Sequence, residues 1–278
     1  MSEKTNAIIK QLQNGVTELF ASDKYADFLK WCASFHQYSF GNTLLIYLQN
    51  PDASYVASYT DWKRKGRQVV RGQKALKILA PHSYTEKDGD GNDIQRIGFH
   101  IAHCFDISQT QPDALHADTA EDIPCICRTI DIPLSDRDSR LLDVLYDISP
   151  VPIEYENIKK KGCNGYFSPD DLKIVIDSRL KGKQMEIKTI LHEQAHALCH
   201  SIKAEQPDRN TMEVQAESIA YIVSQYCGID TSDYSWGYVC SWSQDKSLKE
   251  LTESLDIIRK TSNQIIEWIE ERLMKDVA

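Results

Sequence analysis

No stretch of the chain approaches the roughly 18 uninterrupted apolar residues that a membrane-spanning helix needs. The opening Met1-Ser2-Glu3-Lys4-Thr5-Asn6 lacks an apolar run and a small-residue cleavage site, so no secretory leader is expected. The eight cysteines are scattered along the sequence. Without a leader they are expected to be reduced thiols of a cytoplasmic protein, not a disulfide scaffold. Cys125-Ile126-Cys127 has one intervening residue and no matching second pair, so it is not read as a metal pair. Internal repeats, a glycine-rich nucleotide loop, a serine-based triad and a flavin motif are all missing. What is present is ordinary globular composition, 41% hydrophobic and 26% charged, which excludes wholesale disorder and fibrous classes. At about 150 residues per domain, the length predicts two domains.

The net charge of −9 argues at first against a nucleic-acid partner. Its distribution reverses that inference. Residues 1–110 carry 13 basic and 11 acidic side chains, while residues 111–278 carry 19 and 30. Within the first half, residues 63–77 hold seven cations (Lys63, Arg64, Lys65, Arg67, Arg71, Lys74, Lys77) and no acid. Tyr38, Phe40, Asn42, Tyr47, Tyr55, Tyr59 and Trp62 lie just upstream. Single-strand binders combine a basic groove for phosphates with flat side chains on which bases stack. The same spacings also suit aromatic residues of a core.

Apolar residues recur at helical spacing over 8–20 and 25–32. A helix over 43–49 ends at Asn50-Pro51, and another over 58–65 stops at Gly66. Residues 68–70 and 75–79 read as strands, and 94–107 as a β-rich stretch joined by the turn-rich connector 87–92 into a hairpin. Residues 111–134 lack periodicity and read as a linker between domains at 1–110 and 135–278. The second domain reads as a helix over 139–147, short strands at 151–155 and 173–177, helices over 186–200 and 212–226, and a long amphipathic helix over 248–274.

The first of that helix pair contains His192-Glu193-Gln194-Ala195-His196. Histidines at i and i+4 share one helix face, so both imidazoles reach one metal ion, with Glu193 placed to take a proton from water. A catalytic zinc wants three protein ligands and one open position. Glu213 and Glu217, also i and i+4, open the next helix, and a turn around Pro207 brings them back beside the imidazoles. Glu213 is assigned as third ligand and Glu217 as the residue orienting an imidazole; the reverse assignment stays open. His200 is read as packing, since a fourth protein ligand would close the site and leave Glu193 without a role.

This helix pair resembles the gluzincin arrangement, in particular the zincin domain of the ImmA/IrrE type. The stretch Tyr38-Ser39-Phe40-Gly41-Asn42-Thr43-Leu44-Leu45, then Trp62 and Gly66-Arg67-Gln68-Val69-Val70-Arg71-Gly72-Gln73-Lys74-Ala75, resembles the single-stranded-DNA-binding domain of ArdC/LtrC-type antirestriction proteins. That family joins such a domain to a C-terminal zincin, in this order, on plasmids and conjugative elements. The resemblance implies an α+β chain: an N-terminal DNA-binding domain with a β-hairpin, then a zincin-like metallopeptidase domain with an HExxH helix and a small sheet. It implies Zn2+ held by His192, His196 and Glu213, Glu193 as catalytic carboxylate, and single-stranded DNA and an unidentified peptide as partners. Tyr234-Ser235-Trp236-Gly237-Tyr238 resembles a segment after the second zincin helix, where Tyr234 or Tyr238 would donate to an oxyanion. The expected DNA contacts are Lys63, Arg64, Lys65, Arg67, Arg71 and Lys74 on phosphates, with stacking from Tyr38, Phe40 and Trp62 beside Asn42. The alternatives are a DNA-coating protein with a structural zinc, and a regulatory protease that cleaves a repressor.

Overall fold

The structure of the chain, a computed structural model, describes residues 3–20, 24–35, 38–87, 92–113, 134–160, 162–201, 206–229 and 236–275. Most of the expected linker, with Cys125 and Cys127, lies outside the described residues, as does the hairpin connector at 88–91. The chain forms two compact units, one from residues 1–19 and 37–127, the other from residues 20–36 and 128–278. It opens with helices α1 (Glu3–Phe20) and α2 (Lys24–Ser34). Helix α2 is part of the second unit, whereas the sequence reading placed all of 1–110 in one domain.

The first unit continues with α3 (Phe40–Gln49), β1 (Val56–Ser58), α4 (Tyr59–Arg64), β2 (Arg67–Val69), β3 (Leu76–Lys87), β4 (Asp93–Asp106) and β5 (Thr110–Pro112). Strands β1, β4 and β3 form an antiparallel sheet in that order, and β2 pairs with β5. Ser58 caps α4 by accepting from the Asp61 amide, which fixes where this short helix starts. The hairpin runs further than the expected 75–79, because β4 pairs with β3 from Leu76 opposite Cys104 to Lys87 opposite Asp93. Two amide side chains of α3 satisfy the other edge of β3. Asn42 donates to the Leu79 carbonyl at 3.0 Å and accepts from the Leu79 amide at 2.9 Å. Gln49 does the same to Lys77, at 2.9 Å each way. Leu44, Leu45, Ile46 and Trp62 fill the core beneath.

The second unit adds α5 (Leu134–Asp147), β6 (Ile153–Glu156), β7 (Gly165–Ser168), β8 (Lys173–Asp177), α6 (Gln184–Cys199), α7 (Arg209–Tyr226), α8 (Gly237–Gln244) and α9 (Leu248–Lys275). The sheet order is β6-β8-β7, with β6 parallel and β7 antiparallel to a β8 whose Ile174, Val175 and Ile176 are buried. Strand β7, four residues long, has too little pattern to be read from sequence; β8 supplies its pairing. A Cβ on Gly165 would stand 2.8 Å from Thr189 and 2.9 Å from the Val175 carbonyl, so glycine is what lets β7 lie so close to α6. Helix α2 packs on α7, with the Tyr25 hydroxyl 2.7 Å from Ser218 Oγ. The chain is a mixed α+β protein with small sheets, and no helix of the described residues is long and apolar enough to cross a membrane.

Candidate functional site

Helices α6 and α7 bring five of the expected residues together in the second unit. His192 and His196 lie one turn apart on α6 with Glu193 next to the first, and Asp208 starts α7 by accepting from the Thr211 amide at 3.2 Å. That start places Glu213 and Glu217 against the imidazoles. His192 Nε2 and His196 Nε2 stand 3.1 Å apart, and Glu213 Oε2 lies 3.5 Å from the first and 3.8 Å from the second. His192, His196 and Glu213 are a cluster able to hold a metal ion, all three ligand atoms lying within 4.8 Å of one another. Glu217 Oε2 sits on the far nitrogen of the first ring, 3.0 Å from His192 Nδ1.

His196 is backed differently. Its Nδ1 lies 2.9 Å from His200 Nδ1; His200 Nε2 lies 2.9 Å from Gln215 Oε1, and Gln215 donates to Ser254 Oγ at 3.0 Å. The order of donors follows from chemistry. Gln215 Oε1 only accepts, so His200 Nε2 carries hydrogen and its Nδ1 accepts from His196 Nδ1–H. With both Nδ1 atoms donating, the two Nε2 lone pairs face each other and Glu213, an arrangement that a cation between them relieves. Two imidazole nitrogens and one carboxylate oxygen suit a divalent transition metal such as zinc.

Without an ion, the same carboxylates favour a proton on His192, which metal binding would displace. Burial disfavours a charged His192, but hydrogen bonding to Glu213 and Glu217 carries its pKa up to about 10. Hydrogen bonding to His192 and His196 holds the Glu213 carboxyl well below the usual carboxylate range. Burial pushes the Glu193 carboxyl up, against the pull of both histidines and a hydrogen bond from the Phe167 backbone. The centre opens on a cavity of about 690 Å³, lined also by Phe167, Met185, Lys188, Thr189, Arg209 and Met212. Sequence reasoning set His200 aside as packing; its i+4 spacing from His196 was the signal that it stands behind that ring. Tyr234 lies outside the described residues, and of Tyr238 only its place in α8 is described.

The first unit corrects the expected DNA map. Trp62 is fully buried and its indole donates to the Phe105 carbonyl at 2.8 Å, so it is core and not a stacking surface. Phe40 is likewise buried, and Asn42 is committed to the β3 backbone. Arg67 donates to Thr110 Oγ1 at 2.8 Å and to the Thr110 carbonyl, tying β2 to β5. Lys63, Arg64, Arg71 and Lys74 are exposed, and Lys65 is half-buried. Tyr38 is half-buried, donating to the Val56 carbonyl at 2.9 Å. Tyr55, not among the expected contacts, stands beside it on a shared cavity with Arg64 and Lys65.

Residues 1–124 match the N-terminal domain of anti-restriction factor ArdC. The uncharacterized protein pXO2-81 of Bacillus anthracis is 25% identical over 98% of this chain and 52% of its own length. The chain thus spans about half the length of that relative. The metal-free crystal structure of the antirestriction ArdC protein from plasmid R388 has a similar fold, with a TM-score of 0.62 at 16% identity, over 94% of this chain and 98% of that one. The Mn(II)-bound structure of the R388 protein matches at a TM-score of 0.50 and 16% identity, over 84% of this chain and 89% of that one.

Proposed function

We propose that the chain is an ArdC-type, mobile-element antirestriction protein that binds single-stranded DNA with its first unit and carries a zincin-like, zinc-dependent peptidase site in its second. The observation that carries the peptidase reading is the convergence of His192, His196 and Glu213 on one cavity with the buried carboxylate of Glu193. The Mn(II)-bound form of R388 ArdC supports a metal at a centre of this kind.

In this reading His192, His196 and Glu213 would hold the ion. Zinc supplies Lewis acidity toward a peptide carbonyl and a water molecule. Glu193 accepts the proton of the attacking water and returns it to the leaving amine. Glu217 and His200 keep each imidazole in the tautomer that turns Nε2 inward. The cavity walls between β7 and α7 leave room for a peptide chain. On the first unit, the exposed cations Lys63, Arg64, Arg71 and Lys74, with half-buried Lys65, take phosphates, and Tyr38 offers an aromatic surface.

The test uses wild type, His192→Ala and Glu193→Gln, each assayed for zinc, cleavage of a peptide library and binding of a labelled single-stranded oligonucleotide. Wild type is expected to hold about one zinc per chain. His192→Ala loses the metal and Glu193→Gln keeps it, both lose cleavage, and all three proteins bind the oligonucleotide alike. Affinity is expected to fall with salt by a slope of about −0.7 per neutralised phosphate. Zinc retained by His192→Ala refutes the ligand assignment, and cleavage retained by Glu193→Gln refutes the role of its carboxylate.

A further inference from the structure

The cavity on the first unit has the build of a receptor for one unit of a polynucleotide. It measures about 500 Å³ and is walled by Tyr38, Tyr55, Asp61, Arg64, Lys65 and the β1 backbone, a size within the about 300–1,000 Å³ usual for small-molecule sites. Resting on the single-strand reading above, we propose that this cavity is a nucleotide subsite: a base of the strand stacks on Tyr55 next to Tyr38, while Arg64 and Lys65 hold its phosphate at the rim.

Both rings are fixed before any ligand arrives. The Tyr38 hydroxyl is anchored on the Val56 carbonyl at 2.9 Å. The Tyr55 amide donates to Asp106 Oδ1 at 3.0 Å, and its carbonyl accepts from the Ile107 amide at 2.8 Å. One side of the Tyr55 ring rests edge-on against Trp62, at 5.4 Å between centroids, and Trp62 is itself immobilised in the core. A preset aromatic surface loses little freedom on binding, so stacking is not offset by ordering costs. This also gives Trp62 a place in the argument: it supports a stacking ring without being one.

The charges suit a nucleotide as well. Lys65 Nζ lies over the Tyr55 ring, 5.8 Å from its centroid, so a cation already rests on the ring and moves to the rim phosphate as a base takes its place. Arg64 pairs with Asp61 at 3.0 Å in an exposed geometry, which is a weak bond in water and easily exchanged for a phosphate. Asp61 also accepts from Ser58 Oγ at 2.7 Å and would repel a phosphate set deep in the cavity. The phosphate therefore belongs at the Arg64 and Lys65 rim and the uncharged base inside. A free nucleotide offers the same chemistry, but Lys63, Arg71 and Lys74 are further exposed cations of this unit, which fits a strand that carries further phosphates.

The experiment measures anisotropy of a labelled 12-nucleotide single strand on the full chain, for wild type, Tyr55→Ala, Tyr55→Phe, Lys65→Ala and the remote control Lys249→Ala, with deoxyadenosine monophosphate as competitor. A strand carrying 5-iodouracil is photo-crosslinked in parallel and the attached residue mapped by mass spectrometry. Tyr55→Ala is expected to weaken binding about tenfold, the usual worth of one stacked base. Tyr55→Phe retains affinity, Lys65→Ala reduces the salt slope by about 0.7, and the crosslink falls on Tyr55 or Tyr38. The mapped crosslink does not depend on how well Tyr55→Ala folds. If wild type binds no single strand, the single-strand reading fails and takes this one with it. If wild type binds, but Tyr55→Ala binds equally and the crosslinks lie elsewhere, the subsite alone is overturned. Monophosphate competing as well as the strand, base for base, overturns the assignment to a strand.

Discussion

Each of the two clustered imidazoles has a partner behind it, and the two partners differ in kind. Glu217 offers His192 Nδ1–H a carboxylate, whereas His200 offers His196 a neutral ring nitrogen fixed by Gln215 and Ser254. The groups behind a ligand set its tautomer and basicity, and losing one costs about 10–100-fold in metal affinity. His200→Ala is therefore expected to weaken zinc binding by that order in a chelator competition, while Glu193→Gln leaves it unchanged. Equal zinc affinity for His200→Ala and wild type would remove His200 from the site. That His192 and His196 meet was legible in the sequence because i and i+4 on a helix fix a shared face without help from the rest of the fold. Trp62 and Phe40 were not legible as core, because an aromatic residue beside basic ones reads alike whether it stacks or packs. Only β4, some forty positions away in sequence, decides it by accepting the Trp62 indole hydrogen at Phe105.

Helix α7 shows how an element's start sets a site. Its expected beginning was Met212, where the apolar periodicity begins; it starts at Arg209 because Asp208 caps it. The cap is polar and local, and periodicity does not register it. Asp208 accepts from the Thr211 amide and pairs with Lys246, and these contacts, the Lys246 hydrogen bond first, hold its pKa at about 2. A depressed carboxyl contributes its stability above its unfolded value, about 3.9, and loses it as pH falls through the folded one. Asp208→Ala is expected to cost about 1 kcal/mol at neutral pH, the usual worth of an N-cap, and much less near pH 2. Urea unfolding of both proteins at the two pH values checks this, and a cost that does not change with pH would argue against a charged cap. Helix α6 has no side-chain cap at Lys183, so its place depends on packing, through Gly165 and Thr189 against β7.

At the scale of the molecule, the two units are not consecutive segments of the chain. The second unit takes its helix α2 from the N-terminal part of the chain, and residues 37–127 then return to the first unit. Tyr25, Phe28, Leu29 and Cys32 of α2 are each no more than 2% exposed, and Phe35 just after it is 1% exposed. Arg259 of α9, itself buried, donates to the Phe35 carbonyl at 2.6 Å and so satisfies the chain just past the C-terminal end of α2. Burying a large apolar side chain contributes about 1.5–3 kcal/mol, so the large residues of α2 and Phe35 together rival the whole net stability of a domain, about 5–15 kcal/mol. A fragment of residues 128–278 keeps the His192, His196 and Glu213 cluster but leaves the α2 side of α7 bare. It is expected to show no cooperative thermal transition and to bind zinc far more weakly than the full chain. Adding a peptide of residues 20–36 should restore part of both, because that peptide carries the missing core and no ligand. A fragment that melted cooperatively at the full-length temperature would show that α2 only covers a core complete without it. Failure with rescue by the peptide would show that the metal centre depends on residues more than 150 positions before His192.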